Sequence, residues 1–324
     1  MFSPTPFRDI YLTASFELRE MMRSRRALVI MALYLTVAAF ASYQFVEILI
    51  RTQNFTRTPP RWQREVRGPV AQPGARANPV APVARAAPGL TQGAFFARGS
   101  PFRDVLGGMV TEPATMDFLT AKPLIALYFM LISLLSAPFL IMITASEPIA
   151  QEQQTRGVRF VVLRTGRVEY VTGKALGQGL LIALVVLMSA AVCMTVAEWK
   201  LVDFEFTPTA RAMLLFWPRV VAFCVPFVGL AMLCSMNSSS TMAARGISLM
   251  GMLGLWLVHE LADFYSDTSL AGFFDKLDHF DPYYYQMRLW EPSYATVGPA
   301  MGILVGLGAL YMVIGLAFYL RRDL

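Results

Sequence analysis

Three stretches of the sequence carry residue types that bind phosphate, metal or protons in enzymes. The first is Gly173-Lys174-Ala175, which has the glycine–lysine pair that ends a phosphate-binding loop. Such a loop also requires an upstream glycine and a hydroxyl residue after the lysine, and both are missing here. The pair therefore does not predict that this chain binds ATP.

The second stretch begins at His259-Glu260, the first half of the zinc motif H-E-x-x-H. That motif needs a second histidine to place two nitrogens on one helical face, but this position holds Asp263. The third stretch surrounds His279, and we interpret it as a solvated polar loop. It also contains the acids Asp275, Asp278 and Asp281. Neither stretch completes a known site, so we predict no metal, no cofactor and no catalytic residue in this chain.

The composition excludes a soluble enzyme or nucleic-acid binder. Of 324 residues, 56% are hydrophobic and 15% are charged, against roughly 45–50% and 25% in soluble domains. So few polar side chains cannot cover a soluble core of this size. We therefore interpret the net charge of +6 first as the lysines and arginines that set the orientation of membrane spans. Cys193, Cys224 and Cys234 lie in apolar runs, which predicts buried thiols without a disulfide framework.

Long apolar runs predict an all-α membrane protein, because crossing a bilayer as a helix takes about 20 apolar residues. We expect a six-transmembrane-helix bundle with an N-terminal interfacial amphipathic helix. The predicted spans are 27–50, 123–145, 175–197, 217–236, 242–262 and 295–320.

Residues 1–26 precede the first span and alternate apolar and charged positions at helical spacing. A helix of this kind lies in the membrane interface; packing on a soluble partner is the alternative. The apolar face is carried by Phe7, Ile10, Tyr11, Leu18 and Met21.

The connections differ in composition. Segment 51–122 is long, and its part 55–101 holds eight prolines, seven arginines and one acid, which predicts a largely disordered outer loop. The stretch 146–174 is polar and basic, and 263–294 forms a second outer loop. The short connections and tails on the side of 146–174 carry thirteen lysines and arginines, against four on the other side. Both termini are therefore predicted to be cytoplasmic.

Two features of the spans have competing interpretations. Arg219 lies beside Trp217 and Pro218 near the start of the fourth span. We interpret it as snorkelling to the outer interface rather than as a functional charge in the membrane. Small residues four apart allow close helix approach, which predicts packing within the bundle or, alternatively, dimerisation. The sixth span carries them at Gly298, Gly302 and Gly306.

The stretch 147–174 is the most informative part of the sequence. It combines an acid and a glycine, a short apolar run, a basic segment and a glycine–lysine pair. These features are carried by Glu152, Gly157, Phe160, Leu163, Arg164, Arg167 and Lys174. In this order the stretch resembles the ABC type-2 exporter permeases. The interfacial N-terminal helix, the serine-rich turn 238–240 and the basic tail 321–322 match the same family. The long 51–122 insertion departs from its compact members.

The resemblance implies the membrane-spanning permease subunit of a bacterial ABC exporter in the inner membrane. A separate ABC ATPase subunit would bind ATP and dock on 148–165 and on the N-terminal helix, and the permease would work as a homodimer or heterodimer. Apolar and arginine side chains of the docking stretch suit the centre of such an interface. The alternative is a basic loop that only fixes topology and touches lipid headgroups.

Two other functions remain open from the residues alone. One is a membrane-embedded enzyme that uses His259, Glu260 and Asp263 on lipid-linked substrates. The other is a membrane scaffold whose basic loop 55–101 recruits a partner. The apolar spans favour a hydrophobic or amphipathic cargo for a permease, but they do not identify it.

Overall fold

The computed structural model describes residues 6–57, 112–155, 166–201, 204–265 and 271–321, and in these ranges it contains helices and no strand. Most of the segment that we predict to be disordered lies outside the described residues. The helices are α1 (Pro6–Arg23), α2 (Arg25–Arg57), α3 (Pro113–Thr120), α4 (Leu124–Thr144), α5 (Pro148–Gln154), α6 (Arg167–Lys200), α7 (Phe206–Asn237), α8 (Thr241–Phe264), α9 (Ala271–Asp278) and α10 (Tyr294–Leu320). Two 3₁₀ turns, Tyr283–Tyr285 and Met287–Trp290, separate α9 from α10.

Six of these helices are long and apolar enough to cross a membrane. They are α2, α4, α6, α7, α8 and α10, and they correspond to the six predicted spans, so the predicted all-α membrane architecture is confirmed. Several helices continue beyond their apolar runs. The helix α6 begins at Arg167 because Tyr170 and Val171 are buried and extend its packed face by two turns.

The helix α7 forms the centre of the bundle and packs against α10, α4, α6 and α8. Its inward side carries the fully buried rings of Phe216, Phe223 and Phe227. The helices α2 and α8 are mostly exposed in this chain. Such apolar outer surfaces suit contact with lipid tails, which solvate them as well as a protein core does. As predicted, the three cysteines are buried and form no disulfide.

Glycines allow the closest helix contact, which joins α7 and α10. A methyl group added at Gly308 would lie 2.7 Å from the Val225 carbonyl oxygen, and one added at Gly229 would overlap the Gly308 backbone. A methyl group at Gly315 would come within 2.8 Å of the Leu233 Cα. Only hydrogen fits at these positions, so the two backbones touch.

The glycines predicted to pack are on the other side of α10. A methyl group at Gly298, Gly302 or Gly306 would meet nothing within 4 Å in the described part of the chain. The prediction that these glycines pack within the bundle is therefore wrong for the described part of the chain. The physical reason is the orientation of α10, which α7 holds through Gly308 and Gly315. Dimerisation through the stripe stays a prediction.

Candidate functional site

A buried ion cluster joins three helices at one end of the bundle. Lys174 of α6 extends its Nζ to within 2.6 Å of Glu17 Oε2 on α1 and 2.7 Å of Glu152 Oε1 on α5. Lys174 and Glu17 are each 4% exposed. Buried charges persist only when partners compensate their lost hydration. One ammonium shared by two carboxylates therefore ties α1, α5 and α6 together.

Polar side chains on the same face of α6 complete the cluster. The Tyr170 hydroxyl donates to Glu152 Oε2 at 2.6 Å, and Gln178 Nε2 donates to Glu17 Oε1 at 3.2 Å. Tyr170, Lys174 and Gln178 are spaced by four residues, so they lie above one another on the helix. Each carboxylate thus has a neutral hydrogen-bond donor in addition to the shared lysine.

Two glycines bring α1 close enough for these contacts. A methyl group at Gly173 would lie 2.5 Å from Thr13 Cβ and 3.0 Å from the Ile10 carbonyl oxygen. One at Gly177 would lie 3.1 Å from the Ala14 carbonyl oxygen. Gly173 therefore serves helix packing rather than a phosphate loop. The spacing of 173 and 177 is the small-residue pattern that we assigned only to the sixth span.

The short helix α5 is anchored to α7 at its opposite side. Ser235 Oγ accepts hydrogen bonds from the backbone amides of Ile149 at 3.2 Å and Ala150 at 3.0 Å. Gln153 Nε2 donates to the Met236 carbonyl oxygen at 3.0 Å. These bonds satisfy amides in the first turn of α5, which have no partner within their own helix. The helix α5 is thus fixed to two spans.

Ion pairing and hydrogen bonding extend the connection to the remaining helices at this end. Glu147, just before α5, pairs with Arg245 of α8. Arg167 Nη1 donates to the Leu320 carbonyl oxygen at the end of α10 at 3.2 Å. We call α1, Glu147 with the following helix α5, and residues 167–178 of α6 the basal unit. Through these contacts the basal unit meets α7, α8 and α10.

A cavity of about 510 Å³ opens between α1 and α5. Its charged lining residues are Glu17, Glu20, Arg25, Glu147, Glu152 and Lys174. Such a lining suits water or polar side chains rather than lipid tails.

The residues of the predicted interfacial face of α1 differ in their exposure. Phe7 is 83% and Tyr11 is 72% exposed, whereas Leu18 and Met21 pack against the core. Ile10 is half-buried beside α6. The exposed rings are available for a membrane surface, and lipid contact by α1 stays a prediction.

The structure places three of the seven predicted coupling residues. Glu152 and Lys174 meet in the ion cluster, and Arg167 lies apart from it at the end of α10. Gly157, Phe160, Leu163 and Arg164 lie outside the described residues. Sequence reasoning missed Glu17, although an acid between Ala14 and Leu18 interrupts the apolar side of α1. A carboxylate at such a position signals a buried cation on the partner helix.

The opposite end of the bundle corrects one interpretation of the segment around His279. Asp278 is 5% exposed and Asp281 is fully buried, so the prediction that these acids are solvated is wrong, whereas His279 is exposed. His259 Nδ1 lies 2.9 Å from Asp278 Oδ1, while Glu260 and Asp263 are exposed. Burial raises the pKa of Asp278, and the contact with His259 opposes that rise. Within the described ranges no group of three His, Cys, Asp or Glu side chains is placed to hold a metal.

Arg219 does not snorkel, because its side chain is 1% exposed inside the protein. Its Nη1 donates to the carbonyl oxygens of Leu289 at 2.7 Å and Glu291 at 2.8 Å. The rings of Phe216 and Tyr294 lie 5.7 Å from its guanidinium carbon. Carbonyl groups at the end of a 3₁₀ turn need donors, and the two hydrogens of this one nitrogen supply them. Arg219 thus fixes the chain between α9 and α10.

The sequence matches a known protein family. The family model described as ABC-2 family transporter protein matches residues 12–324, which is nearly the whole chain. No curated protein matches the sequence.

Proposed function

Because the chain belongs to the ABC-2 transporter family, we propose that it is the membrane-spanning subunit of an ABC exporter that is driven by a separate ATPase subunit. Family membership and six apolar helices make it a multi-pass membrane permease of an ABC transporter. Export as the direction, the ATPase partner and the coupling route are the parts that we propose.

The ion cluster of the basal unit is the observation that carries the proposal. Lys174 holds α1 and α5 to the first turns of α6. A load on α5 is therefore transmitted to α6 through the lysine and to α7 through Ser235. Buried, paired charges resist sliding, because separating them leaves uncompensated charge. A partner that pushes on α5 would tilt helices rather than bend a loose loop.

The chemistry next to α5 fits a protein partner. Gln151 on α5 and Thr155 directly after it are exposed. The predicted docking residues Phe160, Leu163 and Arg164 follow in the sequence. Apolar and arginine side chains dominate the centres of protein interfaces. In this mechanism the ATPase binds and hydrolyses ATP, whereas the permease holds no cofactor and carries no catalytic residue.

The distribution of lysines and arginines supports a membrane orientation for the chain, and its family supports a dimer. Most lysines and arginines of the short connections lie at the end that holds the basal unit, which supports a cytoplasmic location for this end and for both termini. We propose a bacterial inner-membrane location and a dimer of permeases. The exposed glycine stripe of α10 is available for such a dimer contact.

Co-purification from membranes of the native host tests the proposal. An ATPase should elute with the tagged wild-type chain in mild detergent and be lost with Phe160→Asp plus Leu163→Asp, because two charges would enter an apolar interface. The matched control is Phe273→Asp plus Leu277→Asp on α9, where both side chains are exposed.

The control should retain the ATPase in the same yield as wild type. Size-exclusion profiles of both double variants show that loss of the ATPase does not reflect misfolding. Absence of an ATPase from the wild-type eluate, or its retention by Phe160→Asp plus Leu163→Asp, would refute docking on this stretch.

A further inference from the structure

The chain between α9 and α10 enters the bundle instead of crossing its surface. The hydroxyl of Tyr311, in the second half of α10, donates a hydrogen bond to the Phe280 carbonyl oxygen at 2.6 Å. Asp281 and Leu289 are fully buried, and Trp290 is 4% exposed. We call residues 280–291 the re-entrant segment. It has only two 3₁₀ turns, so side chains must satisfy much of its backbone.

Asp281 is an incompletely paired carboxyl group in this segment. Its Oδ1 accepts a hydrogen bond from the Tyr283 amide at 2.9 Å. Its Oδ2 is buried and has no hydrogen-bond partner among the described residues. An ionised carboxylate with one donor is costly in such a place, whereas a protonated one is neutral.

Among the residues that the structure describes, no lysine or arginine is found to act on the charge of Asp281. The segment and its approach contribute Asp278 and the hydroxyl of Tyr283, and α8 contributes His259. The charges of His279 and Asp263 act on Asp278. The imidazole of His259 is engaged by Asp278 at 2.9 Å. The helix α10 contributes the Tyr311 hydroxyl. The helix α7 contributes Phe223 and Phe227, whose rings pack edge-on to Tyr283.

We propose that Asp281 is a proton-operated latch, whose protonated form holds the re-entrant segment in the bundle and whose ionised form releases it. The carboxyl group of Asp281 lies where the re-entrant segment enters the bundle, so its charge directly affects the packing of this segment. The proposal concerns this segment alone, and its test is independent of any ATPase partner.

The direction of the pH effect follows from the environment of Asp281. Burial raises its pKa to about 6, and the hydrogen bond from the Tyr283 amide only partly opposes this rise. A released carboxyl returns to its ordinary pKa of about 3.9. The packed form therefore binds the proton more tightly, and its stability falls as the pH rises through this window. The ratio of released to packed segment should rise about tenfold per pH unit between about 4 and 6, and level off above.

Thiol labelling of the full-length protein in detergent measures that ratio. Leu289→Cys places a thiol on the fully buried side of the segment, and Lys276→Cys on α9 is the exposed control. Labelling of the three native cysteines, which are buried, is measured first and subtracted. The Leu289→Cys rate, divided by the Lys276→Cys rate, should rise about tenfold between about pH 5 and about pH 7.5. In the Asp281→Asn background it should stay at its low-pH value.

A ratio that does not change with pH in the chain with Asp281 would overturn the latch, and so would an equal rise in the Asp281→Asn background. If Asp281→Asn is not monodisperse, His259→Gln replaces it. Because His259 lowers the pKa of Asp281, its replacement should move the upper end of the rise to higher pH. An unchanged curve in that variant would overturn the proposal as well.

Discussion

Replacing Lys174 with methionine should lower the free energy of unfolding by about 3–5 kcal/mol, because it leaves buried carboxylates without their cation. Methionine keeps the length of the side chain, so the loss reports the charge rather than a cavity. Glu17 is 4% exposed, and without the lysine its carboxylate would keep, among the described residues, only the hydrogen bond from Gln178. Equilibrium unfolding in mixed detergent micelles measures the change.

Two further variants isolate the cluster. Arg51→Met removes a cation from an exposed pair with Glu47 at 3.3 Å on α2, and should cost less than about 0.5 kcal/mol. Adding Glu17→Gln to Lys174→Met should recover part of the loss, because one of the orphaned charges is removed. A Lys174→Met protein as stable as Arg51→Met would show that the three helices are held by other contacts.

Alanine substitutions on the two sides of α10 should change the free energy of unfolding in opposite directions. Gly308→Ala should cost about 1–3 kcal/mol, since the new methyl group would lie 2.7 Å from the Val225 carbonyl oxygen. Gly302→Ala meets nothing within 4 Å and should stabilise the helix by up to about 1 kcal/mol, as alanine does relative to glycine. Thermal unfolding of the two variants in the same detergent compares them directly.

Two results would contradict this account of α10. Equal destabilisation by both substitutions would mean that the Gly302 side is also in contact, as in a dimer that uses the glycine stripe. Tolerance of Gly308→Ala would mean that α7 and α10 are farther apart than the structure shows.

The fold class was predictable because each span is a continuous apolar run that needs no partner to be recognised. Hydropathy located the six helices, and helical spacing located α1. Helix ends were less predictable, because side chains such as Tyr170 are polar enough to interrupt an apolar run and still become buried by packing.

The sequence predicted only some of the residues that form the ion cluster of the basal unit. Lys174 and Glu152 belong to the motif stretch, but Glu17 is separated from Lys174 by 157 positions. No local pattern specifies which buried acid meets which lysine. The glycines show the same limit, since spacing by four residues indicates close approach but not which face of a helix is approached. Packing of α10 on α7 selected Gly308 and left Gly302 exposed.

The end of the bundle opposite the basal unit was predicted least well because its fold depends on tertiary hydrogen bonds. The acids near His279 suggested a solvated loop, yet the segment is held inside by the Tyr311 hydroxyl and by Arg219. The two donors lie 31 and 70 positions away in the sequence from the carbonyl groups they bind. Their single polar groups within apolar runs were the available signal, because a polar group inside a span must find an internal partner.

Site-specific photo-crosslinking in native membranes tests the central claim most directly, namely that an ATPase docks at the basal unit. A photoreactive amino acid replaces Gln151, which is exposed on α5, or Phe273, which is 64% exposed on α9 at the opposite end. We predict an adduct with an ATP-binding protein from position 151 and none from position 273. No such adduct from position 151, or an ATPase adduct from position 273, would contradict the account.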